Sequence, residues 1–404
     1  MNVAIVTAHL SFDEHGGANY SIHRLATELC ERGHAVTVYT TNHLDENDYP
    51  NGVDYRVREL NIGARTLAGS ATGLTRKLRA IAEQNDVLHA YTPGVAVLVG
   101  GFAAVSDADV RTVATLNSYT PICSNSSMLA DGCWRDCSLV DRVRHARDPN
   151  AESIARYAFE QISATRLLSN LDAIMCLSPS VQQIYREAGV DPRTMRVIPN
   201  MADPTFETRT FETATDGGRG DRTRLLYVGR TDPSKGIDTL LQALGELGNR
   251  RDWHLDVVGD DILDYAPEGL DTYRARAREA GIGDRVTYHG WVEYDSLSDH
   301  YAAADVFVHP GRWPEPFGRT LLEALQHDLP VICSDVGAPP WVVGNAGLRF
   351  ARESYPALAA RIQTLLEEPA LREELAGQTA AELKRFEPER VMPEIIETYQ
   401  GEAL

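Results

Sequence analysis

The sequence predicts an α/β protein made of two Rossmann-like domains that face a central cleft. The chain has 404 residues, which suits two or three domains at roughly 150 residues each. Short β-branched runs alternate with helical patterns in both halves, and such alternation is typical of parallel sheets covered by helices. A polar run separates the halves. Ligands of open parallel sheets bind beyond the carboxyl ends of the strands, so we expect functional residues directly after the strands.

The first half contains five runs that predict strands: Val3–Thr7, Ala35–Thr40, Asp86–His89, Arg111–Leu116 and Ala173–Leu177. Two segments between them, Ala18–Glu31 and Ala151–Asn170, have the apolar spacing of helices. The apolar run Gly94–Val105 is shorter than the roughly 20 residues that span a bilayer, so it predicts a buried helix.

Met201–Asp221 is a polar run that ends in Gly-Gly-Arg-Gly, a composition that predicts a linker. After it the alternation resumes, with predicted strands at Arg224–Val228, Leu255–Val258, Arg285–Tyr288, Val306–His309 and Pro330–Cys333. We therefore expect a first Rossmann-like domain at 1–203, a linker at 204–222 and a second Rossmann-like domain at 223–385. Residues 386–404 predict a helix that packs back on the first domain.

The charge balance excludes one class of partner. Lys and Arg number 39 against 58 Asp and Glu, which gives a formal net charge of −19. A nucleic-acid-binding protein needs a basic face, so no nucleic-acid partner is predicted. The only lysines are Lys77, Lys235 and Lys384; few lysines with an acid excess indicate a halophilic protein, with GC-rich coding bias as the alternative. Val3–Thr7 follows Met1 without a basic segment, so we expect a cytoplasmic protein without a cleaved signal.

Two cations follow the first strand of the second half, in the segment VGRTDPSKGID. This segment places Gly229, Arg230 and Lys235 on a strand-to-helix loop. A guanidinium fork and a mobile ammonium beside a helix N-terminus suit a diphosphate. The alternative is two ordinary surface cations, and the scarcity of lysine in this chain argues against it.

Two acids lie eight residues apart in HPGRWPEPFGRTLLEALQHD, after the fourth strand of the second half. Glu315 is expected on the loop, where it either faces the ligand site or is a solvated loop acid. Glu323 is expected one turn into the next helix, where it also fits a capping box that begins at Thr320. Three backbone amides between the acids are expected to be free to donate to a ligand, those of Phe317, Gly318 and Arg319.

Gly16 and Gly17 follow the first strand of the chain in HLSFDEHGGANY. This loop lacks the G-x-G-x-x-G pattern, so binding of a nicotinamide cofactor is not predicted. Adjacent glycines let a phosphate approach the backbone at a helix N-terminus, and an ordinary turn is the alternative.

The stretch Asn117–Pro149 predicts a long loop with two open interpretations. Its arginines between Arg135 and Arg147 either contact an anionic membrane surface or lipid phosphate, or pair with neighbouring acids. Its C-x9-C-x3-C motif with a following histidine is either a structural zinc site or a set of plain loop cysteines. The residues of this motif are Cys123, Cys133, Cys137 and His145.

Five motifs taken together resemble one protein family over nearly the whole chain: GGAN, VIPNMAD, VGRTDPSKGID, DVVGDD and EPFGRTLLEAL. They are similar to motifs of the retaining glycosyltransferases commonly numbered family 4 (glycosyl transferases group 1), which have the GT-B fold. The resemblance implies transfer of a hexose-type sugar from a nucleotide-diphosphate donor, in which the sugar is linked to UDP or GDP. It also implies that the second domain binds this donor. It also implies a glycan, lipid-linked or small-molecule acceptor on the side of the first domain, and no required cofactor.

The resemblance implies roles for individual residues as well. The matches to Arg230 and Lys235 bind the diphosphate, the match to Glu323 binds the ribose hydroxyls, and the match to Glu315 contacts the donor sugar. Arg230, Lys235 and Glu315 are therefore the predicted catalytic residues. The other predicted donor-binding residues are Gly16, Gly17, Gly229, Gly259, Phe317, Gly318, Arg319 and Thr320.

The chain departs from the family pattern in its first domain. Asn117 stands where a histidine is common, and an amide cannot relay a proton near neutral pH. Family members also commonly have a histidine pair after the fourth strand, where this chain has His89-Ala90-Tyr91. His89 and Asn117 are predicted acceptor-side candidates, with strand-end packing as the alternative for His89. No Asp-x-Asp motif follows a strand, and Asp107-Ala108-Asp109 predicts a surface loop, so no metal is expected in the reaction.

Other functions stay open beside the leading hypothesis of a metal-independent glycosyltransferase. A nucleotide-sugar epimerase or a sugar phosphorylase can share this architecture. A non-catalytic subunit that only binds nucleotide sugars is the alternative from a different class.

Overall fold

The computed structural model describes residues 1–11, 17–41, 43, 53–60, 71–123, 163–204, 206, 222–248, 250–260 and 269–402. These residues divide into two compact units. The first unit consists of Met1–Met201 together with Pro388–Leu404, and the second of Ala202–Glu387. Each unit contains an open parallel sheet with helices between its strands, as the alternating pattern predicts.

The strands described in the first unit are β1 (Asn2–Thr7), β2 (Ala35–Thr40), β3 (Arg56–Glu59), β4 (Val87–Ala90), β5 (Arg111–Leu116), β6 (Ala173–Cys176) and β7 (Met195–Val197). They form one sheet in the order β3-β2-β1-β4-β5-β6-β7, and every neighbouring pair is parallel. The strand order reverses between β1 and β4, so their carboxyl ends border the switch point of the sheet.

The helices of the first unit include α1 (Gly17–Glu31), α2 (Ala71–Ala82), α3 (Pro93–Ala103) and α4 (Pro179–Glu187). Helix α3 confirms the buried helix predicted for the apolar run, since most of its side chains are buried. Ser178 begins α4, because its hydroxyl accepts a hydrogen bond from the backbone N–H of Val181.

The strands described in the second unit are β8 (Thr223–Val228), β9 (Trp253–Val258), β10 (Val286–Gly290), β11 (Val306–His309), β12 (Val331–Ser334) and β13 (Gly347–Phe350). Their order is β10-β9-β8-β11-β12-β13, again with all pairs parallel. The helices described here are α5 (Ile237–Glu246), α6 (Leu270–Glu279), α7 (Tyr294–Ala302), α8 (Arg319–Gln326), α9 (Pro339–Val343), α10 (Tyr355–Glu367), α11 (Pro369–Ala376) and α12 (Thr379–Leu383).

Alternating apolar side chains build the core of the second unit. Leu225 and Tyr227 of β8 and Leu255 and Val257 of β9 are buried in the same cluster as the apolar side chains of α5 and α10. Burying one large apolar side chain contributes about 2 kcal/mol, so this face of the sheet supports the loops at its edge.

The last helix, α13 (Pro388–Gln400), belongs to the first unit. Val391, Ile395 and Tyr399 are buried in the same cluster as the apolar side chains of β1 and β2. The side chain of Arg111 also donates a hydrogen bond to the carbonyl oxygen of Thr398 at 2.7 Å. None of the helices in the described part of the chain has the length and apolar character needed to cross a bilayer.

All ten predicted strands are present, and the described residues contain three further strands that were not predicted. These are β3, β7 and β13, and each lies at an edge of its sheet. An edge strand has one neighbour and more solvent contact, so its apolar pattern is weaker. In β3, for example, exposed and half-buried residues alternate. Most of the predicted linker and of the helix at Ala151–Asn170, and the whole arginine-rich loop, lie outside the described residues.

Candidate active site

The loop after β8 carries the predicted phosphate-binding cations. A 3₁₀ turn at Pro233–Lys235 leads from β8 into α5, and Asp232 caps this turn. Gly236 then turns the chain with a φ of 74°, and a Cβ at this position would lie 1.9 Å from the carbonyl oxygen of Pro310. Only glycine permits this approach, which brings the loop directly against the loop after β11.

Backbone hydrogen bonds join the loops after β8 and β11. The backbone N–H groups of Arg312 and Trp313 both donate to the carbonyl oxygen of Ser234, at 2.8 and 3.3 Å. The carbonyl oxygen of Glu315 accepts a hydrogen bond from Ala338 N at 2.9 Å. The backbone around Glu315 is therefore held by contacts on both sides.

Lys235 and Glu315 form an ion pair between these loops. Lys235 Nζ lies 2.5 Å from Glu315 Oε2, and Trp313 Nε1 donates to the same oxygen at 2.7 Å. The ammonium is also 5.0 Å from the centroid of the Trp313 ring, which is within cation–π range. Only 18% of the Lys235 side chain and 13% of the Glu315 side chain are exposed, so solvent screens this pair weakly.

The surroundings of Glu315 keep its carboxyl group ionised. Burial alone would raise the pKa of Glu315, but the Lys235 ammonium and the hydrogen bonds from Lys235 and Trp313 lower it below its ordinary value. His309, the last residue of β11, is also buried, and burial lowers its pKa to about 4. The ion pair therefore has a neutral imidazole in its surroundings near pH 7.

Arg230 lies on the same loop as Lys235 and is more open to solvent. One of its terminal nitrogens is 3.2 Å from Asp232 Oδ2, and 34% of its side chain is exposed. The hydroxyl of Tyr227 donates to the carbonyl oxygen of Arg230, which holds the backbone in place. A guanidinium has five N–H donors, so Arg230 can bind an anion while it keeps its contact with Asp232.

Glu323 is buried within α8. Its Oε2 accepts a hydrogen bond from the hydroxyl of Tyr301 at 2.8 Å, and a terminal nitrogen of Arg319 is 3.8 Å from its Oε1. Burial raises the pKa of Glu323. The N-cap of α8 is Gly318 and no side chain caps the helix, so the alternative of a capping box beginning at Thr320 is wrong. Glu323 is thus held by tertiary contacts.

The start of α8 presents backbone donors. In the described ranges, the N–H groups of Phe317 and Gly318 have no hydrogen-bond acceptor. These residues directly precede the eight-residue helix that begins at Arg319. The N–H groups at a helix N-terminus lack partners within the helix and attract anionic oxygens.

Gly229 and Gly259 directly follow the neighbouring strands β8 and β9. Gly259 has a φ of 123°, and a Cβ there would lie 2.1 Å from the carbonyl oxygen of Gly229. The N–H of Gly259 also donates to the carbonyl oxygen of Gly290 at 2.7 Å. Glycine at 259 therefore lets the ends of three neighbouring strands lie close together.

The candidates from the first half of the chain lie in the first unit. Gly17 is the exposed first residue of α1, and Gly16 lies outside the described residues. His89 is fully buried in β4, with hydrogen bonds to the Tyr399 hydroxyl at 2.7 Å and to Thr115 Oγ1 at 2.8 Å. Burial lowers the pKa of His89 to about 3. This geometry favours the packing alternative for His89.

Asn117 directly follows β5 and is half-buried. Its amide nitrogen donates to the carbonyl oxygen of Tyr91 at 3.2 Å. The hydroxyl of Tyr91 in turn donates to the side-chain oxygen of Asn200 at 3.3 Å. These three residues form a polar group at the carboxyl edge of the first sheet.

No cluster of His, Cys, Asp and Glu side chains that could hold a metal ion occurs among the described residues. Cys123 is a free thiol there, and the rest of the C-x9-C-x3-C motif lies outside these residues, so the zinc interpretation stays a prediction. Asp107 is exposed and pairs with Arg79 at 2.8 Å, which agrees with the predicted surface loop.

Sequence reasoning missed three residues around the predicted acids: Trp313, His309 and Tyr301. Trp313 and His309 lie within the quoted segment HPGRWPEPFGRTLLEALQHD, so the sequence already showed that they are close to Glu315 along the chain. Tyr301 reaches Glu323 from another helix, 22 positions earlier in the chain, and no local pattern indicates that contact.

Two protein-family models match the chain. The model described as Glycosyltransferase Family 4 matches residues 15–206, and the model described as Glycosyl transferases group 1 matches residues 210–381. A D-inositol 3-phosphate glycosyltransferase of Corynebacterium glutamicum is 28% identical over 95% of this chain and 93% of its own length. The O-antigen chain mannosyltransferase B of Escherichia coli is 32% identical over 43% of this chain and 45% of its own length.

Solved structures have the same fold. Sucrose-phosphate synthase from Thermosynechococcus elongatus has a TM-score of 0.74 at 22% identity, covering 99% of this chain and 98% of that one. Anabaena HepE, solved in complex with UDP, has a TM-score of 0.73 at 19% identity, covering 99% and 100%. The chain thus has the GT-B fold, and the family models that match it are those of glycosyltransferases. The chain belongs to glycosyltransferase family 4, as its motifs predict.

Proposed function

We propose that this protein is a retaining, metal-independent glycosyltransferase that moves a hexose-type sugar from a UDP- or GDP-linked donor to a glycan, lipid-linked or small-molecule acceptor. The observation that carries the proposal is the Lys235–Glu315 pair, 80 positions apart in sequence and 2.5 Å apart in space. Parallel sheets bind ligands beyond the carboxyl ends of their strands, where both residues lie.

The second unit offers one group for each part of a nucleotide sugar. Arg230 and Lys235 provide positive charge for the diphosphate, and Glu323 provides a buried carboxyl group for the ribose hydroxyls. Glu315 and the N–H groups of Phe317 and Gly318 provide acceptors and donors for the hydroxyls of the sugar. Anabaena HepE, which shares this fold, binds UDP in its crystal structure, and this supports a uridine nucleotide as the first donor to test.

The proposed reaction needs charge stabilisation at the leaving group. The bond between the anomeric carbon and the diphosphate oxygen breaks, and its electron pair stays on the diphosphate, where Lys235 and Arg230 stabilise the developing charge. The acceptor hydroxyl oxygen bonds to the anomeric carbon on the face that the diphosphate leaves, through an oxocarbenium-like state. The hydroxyl proton passes to the departing diphosphate oxygen. The anomeric configuration is therefore retained, and two cations take the place of a metal ion.

The acceptor stays broad in this proposal. One relative is named for D-inositol 3-phosphate and another for the O-antigen chain, so both small phosphorylated polyols and glycan chains belong in the test. We further propose a cytoplasmic location with peripheral contact at the inner face of the membrane when the acceptor is lipid-linked. Flotation with anionic liposomes would reveal that contact, and a protein that stays at the bottom of the gradient has none.

A transfer assay tests the proposal. The purified protein is incubated with UDP-glucose or GDP-mannose, with and without inositol phosphate and oligosaccharide acceptors, in EDTA. Because the net charge is −19, the assay is run at two salt concentrations, about 0.1 M and about 2 M KCl. A halophilic protein should be more active at the higher concentration. Acceptor-dependent release of nucleoside diphosphate in EDTA supports the proposal. Sugar conversion without an acceptor, or no binding of any nucleoside diphosphate, contradicts it.

A further inference from the structure

We infer that Trp313 is a positioning residue, whose indole N–H holds the Glu315 carboxylate in place for the donor sugar once Lys235 has turned to the diphosphate. The inference rests on the proposed function, because it assigns Lys235 to the diphosphate and Glu315 to the sugar. It concerns a residue that has no role in that proposal.

Glu315 has two side-chain donors among the residues that the structure describes. Lys235 Nζ and Trp313 Nε1 both donate to its Oε2, at 2.5 and 2.7 Å. The two donors differ in their freedom to leave. A lysine ammonium is a point charge on a flexible stem and moves readily to a stronger anion, whereas an indole has a single N–H on a rigid ring.

A bound diphosphate therefore changes the contacts of Glu315. Its charge competes with the carboxylate for Lys235, and the carboxylate then retains one donor, the N–H of Trp313. Without that N–H, no side-chain hydrogen bond would remain to hold the carboxylate in its position. The carboxylate would then rotate away or take up a proton, and either change removes an acceptor for sugar hydroxyls.

Trp313 is itself held for this task. Its backbone N–H donates to the carbonyl oxygen of Ser234, and its carbonyl oxygen accepts from the N–H of Glu315 at 2.8 Å. Its ring lies beside Lys235, with Nζ 5.0 Å from the ring centroid. The ring can thus guide the ammonium between the carboxylate and a phosphate while the indole N–H stays on Glu315.

Among the described residues, no other charged or titratable group near Glu315 donates a hydrogen bond to its carboxylate. His309 of β11 has no hydrogen bond to Glu315 and is neutral near pH 7. The hydroxyl of Tyr227, on β8, donates to the carbonyl oxygen of Arg230 instead. The side chain of Asp232, beside them, accepts a hydrogen bond from the backbone N–H of Ser234.

Trp313→Phe tests the inference, because phenylalanine keeps an aromatic ring beside Lys235 and removes only the N–H donor. The dissociation constants of UDP, UDP-glucose, GDP and GDP-mannose are measured by titration calorimetry for the wild type and the variant. We expect the affinity for UDP or GDP to stay within about twofold, while the affinity for the sugar conjugate relative to that of the bare nucleotide falls about tenfold.

Trp253→Phe is the matched control. Trp253 is fully buried in the core of the same unit, and its indole N–H has no hydrogen-bond partner among the described residues. Trp253→Phe removes the same indole N–H at a position where it makes no hydrogen bond. The affinity for the sugar conjugate relative to that of the bare nucleotide should therefore not change. A fall equal to that in Trp313→Phe would show a general effect of losing an indole and would overturn the inference.

A double-mutant cycle with Glu315→Ala completes the test. If Trp313 acts through Glu315, Trp313→Phe has no further effect on the relative affinity in the Glu315→Ala background. Equal effects in both backgrounds would overturn the inference, and so would a parallel loss of bare UDP or GDP binding in Trp313→Phe alone. Absence of all nucleotide binding in the wild type would instead refute the proposed function, a result that the wild-type titration separates from the others.

Discussion

The two sheets of this protein carry a buried histidine at matching places, and the two histidines differ in their contacts. β4 and β11 each lie beside the first strand of their sheet, and they contain His89 and His309. His89 has both ring nitrogens hydrogen-bonded, to side chains of α13 and β5. His309 has an Nδ1 without a partner among the described residues, and its surroundings include the Lys235–Glu315 pair.

This difference separates a strand end that stabilises the fold from the strand end to which we assign the chemistry. In the first unit, His89 of β4 joins its own strand to α13 and β5, and neither of its ring nitrogens is left for a ligand. In the second unit the charges are concentrated on loops that approach each other through glycine and backbone hydrogen bonds. Functional sites often keep polar groups that are incompletely satisfied, whereas structural polar groups are satisfied.

The largest effect is expected from Lys235→Ala. This change removes the charge that we propose stabilises the leaving diphosphate, so kcat/KM for transfer should fall by about a thousandfold. The measurement is the initial rate of transfer with a working donor. Lys384→Ala is the matched control, because Lys384 lies in the second unit away from these loops in sequence, and it should keep the wild-type rate. An active Lys235→Ala enzyme would remove the functional contrast between the two units.

The reverse contrast is expected from the two histidines. His89→Leu leaves the Tyr399 hydroxyl and Thr115 Oγ1 without their shared partner, so the free energy of unfolding should fall by about 3 kcal/mol. His309→Leu breaks no hydrogen bond among the described residues and should cost less than about 1 kcal/mol. Urea denaturation followed by circular dichroism measures both. Equal losses of stability would contradict the contrast.

Acid should destabilise the protein through the same histidines. The pKa of His89 is lowered to about 3 and that of His309 to about 4, both below the value of about 6.5 in an unfolded chain. As the pH falls from about 6.5 towards these values, the unfolded chain binds protons that the folded chain excludes. Stability is therefore lost at about 1.4 kcal/mol per pH unit for each histidine.

His89→Gln should remove the contribution of one histidine from the slope of the unfolding free energy against pH. The measurement is the free energy of unfolding by urea at a series of pH values between about 4 and about 7. A slope identical to that of the wild type would show that His89 is protonated in the folded state, in conflict with its burial.

The smallest effect is expected from two tyrosines that each donate to a buried group. Tyr301→Phe removes the hydrogen bond to Glu323, and affinity for UDP or GDP should fall about fivefold. Tyr399→Phe removes the hydrogen bond to His89, which should lower the unfolding free energy by about 1 kcal/mol and leave nucleotide affinity unchanged. Loss of nucleotide binding in Tyr399→Phe alone would reverse the assignment of the two units.

The sequence allowed prediction of most of the fold because the interior strands are continuous apolar runs. β3, β7 and β13 were missed because each is an edge strand of only three or four residues, whereas β10, also at an edge, has five residues and was predicted. The residue types of the site were visible in two motifs, VGRTDPSKGID and EPFGRTLLEAL. Their contact was not, because Lys235 and Glu315 meet only where β8 and β11 lie in parallel in the sheet. The same holds for Tyr301 and Glu323, which join two helices.

The most direct test of this account is a crystal structure of the protein soaked with UDP-glucose or GDP-mannose. We predict diphosphate oxygens within hydrogen-bonding distance of Lys235 and Arg230, ribose hydroxyls on Glu323, and a Lys235–Glu315 separation longer than 2.5 Å. A nucleotide sugar bound elsewhere, with Lys235 still paired to Glu315 and no contact to Glu323, would contradict the account.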